Sequence, residues 1–80
     1  MQQLQTASKM VGVKQCRKAI KEGLVARVYL ACDAEERVLA PLRQLCRELN
    51  LFVVEAPSMQ ELGRQCGIEV GASVAVILKN

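Results

Sequence analysis

Residues 12 to 18 read Gly12-Val13-Lys14-Gln15-Cys16-Arg17-Lys18, which places long hydrogen-bond donors directly behind a glycine. If the stretch is helical, Lys14 and Lys18 lie one turn apart and project side by side. Their ammonium groups then reach guanine O6 and N7 or phosphate oxygens, and Gln15 beside them offers both a donor and an acceptor. Gly12, with no Cβ, lets a ligand approach the backbone closely. A plain turn glycine followed by solvated lysines would have the same sequence, and the residues alone leave both readings open. The spacing is not that of a P-loop, whose lysine follows further glycines.

The surrounding charge points the same way. Residues 1 to 27 hold Lys9, Lys14, Arg17, Lys18, Lys21 and Arg27 against Glu22 alone, whereas acids outnumber bases in the rest of the chain. A net charge of +3 therefore conceals a concentrated basic segment, the footprint expected for binding phosphates, although a solvated helix face would share it. Histidine and tryptophan are absent and there is one Tyr and one Phe, which excludes imidazole acid–base chemistry, histidine metal ligands and a multi-aromatic stacking sheet. Asp33, Glu35 and Glu36 have the chemistry of a hard-cation site, but three acids in a turn before a helix are better read as caps for it. Cys16, Cys32, Cys46 and Cys66 show no C-x-x-C pairing, so reduced thiols filling apolar space are expected, with no metal and no disulfide. No nucleophile and base, paired carboxylates or phosphate-cradling loop suggests an enzyme. Neither an apolar leader nor a run of the ~20 residues needed to span a bilayer is present, and a soluble cytoplasmic protein with no membrane partner is expected.

The elements that must position these residues follow from periodicity. With 80 residues the chain is expected to be one domain over 1–80. Val13, Cys16, Ala19 and Ile20 recur at helical spacing opposite Lys14, Arg17, Lys18 and Lys21, giving a two-faced helix closed by Gly23. Residues 27 to 32 (RVYLAC) read as a strand covered on both faces. Val38, Leu39, Leu42, Leu45, Cys46 and Leu49 describe a second helix, which Pro41 requires either to begin near Ala40 or to follow an irregular turn. Residues 51 to 55 (LFVVE) read as a further buried strand. Ser58 and Glu61 form a capping box before a third helix, with Leu62 and Cys66 inward and Gly67 at its end. Residues 73 to 79 make the last strand, and 9 to 11 a short first one. The order β-α-β-α-β-α-β gives an α/β fold, a three-layer α/β/α sandwich with a mixed sheet of about four strands.

Three stretches together resemble the ribosomal protein L-seven-Ae superfamily of kink-turn RNA binders, in its small bacterial branch. They are G-V-K-Q-C-R-K at 12 to 18, Y-L-A-C-D-A-E at 29 to 35, and S-M-Q-E-L-G-R-Q-C-G-I-E-V-G-A at 58 to 72. The last is the most specific, and its Gly63, unfavourable within a helix, suggests close packing. Members of that family clamp a sharply bent RNA internal loop containing tandem sheared G·A pairs. The resemblance implies that Gly12, Lys14, Gln15 and Lys18 sit at the guanine edges, with Glu35 supporting the same surface; Lys21, on the same charged stripe, is counted with them as RNA-binding. Ile68, Glu69, Val70, Gly71, Ala72 and Ser73 would pack on an extruded nucleotide. Much of the wider family has Asn-Glu where this chain has Lys14-Gln15. That change is shared by the bacterial branch and implies a larger phosphate component and looser discrimination. The expectation is a non-catalytic, monomeric, ribosome-associated protein that binds kink-turn RNA, with ribosomal RNA among the candidate targets and no cofactor. The alternative is an assembly or protein-interaction component that has given up specific kink-turn recognition.

Overall fold

The computed structural model describes residues 8–79. Its elements alternate as expected: β1 (Lys9–Val11), α1 (Val13–Lys21), β2 (Val25–Ala31), α2 (Glu36–Glu48), β3 (Val53–Ala56), α3 (Met59–Gln65) and β4 (Val74–Leu78). The strands form one sheet in the order β1-β4-β2-β3. β4 runs antiparallel to both β1 and β2, while β2 and β3 are parallel. The first three strands therefore point one way and the last points back.

In β2, Val28, Tyr29, Leu30 and Ala31 are all buried, as are Val74, Ala75, Val76 and Ile77 of β4. Consecutive burial means that both faces of the central strands are covered. α1 and α2 pack together in one layer, whereas α3 lies against β2, β3 and β4, so the molecule is the expected α/β/α sandwich. α1 supplies Cys16, Ala19 and Ile20 to the core, α2 supplies Leu39, Leu42 and Cys46, and α3 supplies Leu62 with Cys66 just beyond it.

Each helix ends in the same hydrogen-bonded wrap. After α1 the Gly23 and Leu24 N–H groups donate to the Ile20 and Ala19 carbonyls. Asn50 and Leu51 do this after α2, and Gly67 and Ile68 after α3. The residue leading each wrap, Gly23, Asn50 or Gly67, has positive φ, the signature of the Schellman motif.

Several expectations are corrected. Pro41 lies inside α2, which is continuous from Glu36. Only the bond to the Arg37 carbonyl is forfeited, and Pro41 is on the solvent face, where water can replace it. β2 begins two residues earlier than its hydropathy suggests and stops at Ala31. β3, expected to be a buried strand over 51–55, is one of the two sheet edges, with Val53 and Val54 half-buried and Phe52 62% exposed ahead of it beneath the Arg27 guanidinium, 5.3 Å from the ring centroid. Three thiols are buried as expected, but Cys32 is exposed. Among the described residues no helix is long and apolar enough to cross a membrane.

Candidate functional site

Strand direction decides which loops meet. β1, β2 and β3 all finish at the end of the sheet where β4 starts, so that end gathers Gly12, the turn after β2, the start of α3 and the loop 68–73. In sheets containing parallel strands, ligands are commonly bound beyond the carboxyl ends of the strands.

α1 begins there in an unusual way. Gly12 is its N-cap at φ 107° and ψ 145°, a conformation that side chains resist, and no side chain caps the exposed N–H groups. The first turn holds no acid, and Lys14 sits where a helix dipole would favour a carboxylate. Lys14, Arg17, Lys18 and Lys21 line one shallow hollow of about 460 Å³ with Glu22 beside them. Among the described residues the salt bridges are Arg37–Glu35, Arg43–Glu55 and Arg64–Glu61, none on α1. The four cations thus share one stripe with no salt-bridged acid on the helix among the described residues, at some cost to its stability. Gln15 turns toward a second, more apolar hollow of about 230 Å³, shared with Met10, Lys18, Ala19, Glu22 and Leu24.

The opposing wall is the loop 68–73, and its position is set by backbone packing. α3 is capped by Ser58, whose Oγ accepts the Glu61 N–H at 3.0 Å. Gly63 on α3 is buried against the loop, and a Cβ there would collide with the Val70 carbonyl oxygen. The Ala72 N–H donates to the Met59 carbonyl at 3.0 Å, and Gly71 sits so close that an added Cβ would be 3.2 Å from the Met59 Cβ. These bonds divide the loop: Gly71, Ala72 and Ser73 anchor it, while Ile68, Glu69 and Val70 are exposed, Val70 by 70%. An apolar tip of this kind suits contact with an unstacked, planar group. The Gly12 N–H donates to the Val74 carbonyl at 3.3 Å, tying the start of α1 to the foot of this loop.

Gly12, Lys14, Gln15, Glu35 and the loop 68–73 therefore stand at one end of the sheet, with Lys18 one turn further along α1. Lys21 is on the same stripe but, seven residues from Lys14, about 10 Å further along the axis. Glu35 is the N-cap of α2, yet its side chain makes no capping bond and pairs instead with the exposed Arg37 at 3.1 Å. The expectation that the acids of this turn cap the following helix is corrected in an informative way: Asp33 does cap a helix, but it is α3, through the Met59 N–H at 2.7 Å. Arg17 is the cation missing from the sequence-derived site, although its offset of three from Lys14 already placed it on the stripe.

Burial also sets the state of the nearby thiol. Cys16 is fully buried, and burial together with the neighbouring Cys66 pushes its pKa up to about 12, against a lowering contribution from the Val76 backbone. Among the described residues no group of three or more Cys, Asp or Glu is placed to hold a metal ion.

Residues 2–80 match the ribosomal protein L7Ae/L30e/S12e/Gadd45 family. The chain belongs to that family. A relative from Caldanaerobacter subterraneus subsp. tengcongensis, named an RNA-binding protein, is 46% identical over 67 residues, spanning 84% of this chain and 82% of its own. The RNA-binding protein YbxF of Geobacillus stearothermophilus is 36% identical over 76 residues, or 95% of this chain and 93% of its own. Among solved structures, the Giardia lamblia 15.5kD RNA binding protein superposes with a TM-score of 0.84 at 27% identity, covering 91% of this chain and 62% of that one.

Proposed function

We propose that this L7Ae-family protein is a non-catalytic RNA-binding module that recognises kink-turn RNA and stabilises its bent form. The observation that carries the reading is the joining of two unlike surfaces at one end of the sheet. The uncapped, cationic start of α1 offers donors for guanine edges and phosphates, and the apolar loop tip at Ile68 and Val70 offers a platform for a base turned out of the stack. A regular A-form helix presents neither a readable deep groove nor an extruded base, whereas a bent internal loop presents both features. The names of the relatives as RNA-binding proteins agree with it. Binding that is stronger for the bent than for the extended RNA shifts its population toward the bend without any chemical step.

The test is a titration against a labelled duplex containing a consensus kink-turn and against a matched duplex in which the G·A pairs are replaced by Watson–Crick pairs, at two salt concentrations. A preference for the kink-turn that persists at the higher salt is expected. Equal and steeply salt-sensitive binding would reduce α1 to an electrostatic patch. One observation favours the second reading, an assembly component working through protein contacts: Leu24, Leu49 and Phe52 stand exposed at the other end of the molecule.

A further inference from the structure

Asp33 lies in the turn after β2, two residues before Glu35, but its carboxylate serves a helix that begins 26 residues later. Its Oδ1 accepts the Met59 N–H at 2.7 Å. α3 already has its own capping residue, since Ser58 Oγ receives the Glu61 N–H, so the Asp33 bond adds a tie between two segments of chain.

Met59 passes that tie to the loop 68–73. Its carbonyl accepts the Ala72 N–H at 3.0 Å, its Cβ abuts Gly71, and its Sδ lies 3.5 Å from Ser73 Oγ. The chain from Asp33 through Met59 to residues 71–73 thus links the turn that carries Glu35 to the loop that carries Ile68 and Val70.

We infer that Asp33 is a positioning residue for RNA recognition: through Met59 it holds the 68–73 loop at a fixed distance from the Glu35 turn and from α1, so that both walls engage one RNA bend together. The inference rests on the kink-turn reading above. Asp33 touches no RNA in this account. Its effect is on preference between RNAs, because a loop free to move loses the bent target's extra contacts while the α1 cations still attract any phosphate backbone.

The experiment compares the wild type with Asp33→Ala and Asp33→Asn by two readouts. One is backbone amide hydrogen exchange at Met59 and Ala72 in the free protein. The other is the ratio of affinities for the kink-turn duplex and its Watson–Crick counterpart. For Asp33→Ala, exchange at both amides should rise while Val28 and Leu30 in β2 stay protected, and the ratio should fall about tenfold, the scale of one hydrogen bond to a charged group, with duplex affinity unchanged. Asp33→Asn keeps an acceptor oxygen but loses the charge, and should give values between those of the wild type and Asp33→Ala in both readouts.

Unchanged exchange at Met59 and Ala72 in Asp33→Ala would overturn the inference, as would faster exchange with an unchanged ratio. Equal losses for both RNAs, or faster exchange throughout β2 and β4, would assign Asp33 a purely structural role and overturn it too. If Asp33→Ala does not fold, Asp33→Asn decides the matter: a smaller fall in the ratio with exchange raised only at the two amides supports the inference, and wild-type values in both readouts defeat it. If the wild type itself shows no kink-turn preference, the RNA reading fails and the positioning role falls with it, whatever the exchange data show about the Asp33–Met59 tie.

Discussion

At the scale of single residues, the start of α1 departs from what a stable helix prefers, with a glycine cap, no acid in the first turn and four cations on one stripe. Such departures concentrate where function outweighs local stability. Lys14→Ala and Lys18→Ala should each weaken kink-turn binding by about 1–3 kcal/mol, the range of a base-edge contact, whereas Lys79→Ala, in the segment after β4, should change it little. A double Lys14→Ala, Lys18→Ala variant with wild-type affinity in the same titration would remove α1 from the site. The thiols give an independent check on helix phase. Cys32 is exposed, and Cys16 is fully buried with its pKa raised to about 12, so native-state labelling should be fast at Cys32 and slow at Cys16. Peptide mapping after a short pulse of thiol reagent reads the order directly, and early modification of Cys16 would mean that α1 is rotated. Periodicity already turned Cys16 inward. The exposure of Cys32 was not legible, because RVYLAC is apolar to its end and only the strand's actual limit at Ala31 puts the next residue outside.

At the scale of elements, the sequence marks helix ends better than strand ends. Ser58, Gly23 and Gly67 are local chemical signals with a defined geometry, and each is found where it points, although Glu61, the other half of the capping box, turns its carboxylate to Arg64 and Gln65. The edges of β2 and β3 depend instead on which neighbouring strand continues to offer partners, which no local pattern records. Pro41 misled for a related reason: the penalty of an interior proline depends on where in the fold it falls, and Pro41 and Arg37 both lie on the exposed face of α2. Gly63 was legible as a position of close approach, though its partner was not. Gly63→Ala should lose about 1–3 kcal/mol of stability through steric conflict with the Val70 backbone, in spite of alanine's better helix propensity. Urea denaturation measures it, and a stabilised variant would show that the loop yields easily.

At the scale of the whole molecule, the absence of histidine shapes the response to pH. The pKa of Glu55 is lowered chiefly by its hydrogen-bonded pairing with Arg43 and that of Glu61 by Arg64. Groups whose folded pKa is depressed contribute stability above their unfolded value, and lose it as pH falls through the folded one. Thermal unfolding should therefore show a flat midpoint between about pH 5.5 and 8 and a decline below about pH 4.5, modest in size because both pairs are at the surface. A sharp loss near pH 6.5 would contradict this account. The sandwich and the order of its elements were legible from alternation alone. The meeting of the α1 start with the 68–73 loop was not, because it depends on β4 running against the other three strands, a property of pairing across more than sixty residues. One consequence follows from the way that loop is seated. Its place is fixed by close contacts at Gly63 and Gly71, by the Ile68 and Ala72 N–H groups donating to main-chain carbonyls and by the Ser73 contact with Met59, none of which involves the side chains of Ile68 or Val70. The two tip residues are therefore interchangeable parts on a separate mount, and under the proposed kink-turn reading a lineage or a designer can retune the grip on the extruded nucleotide without redesigning that mount.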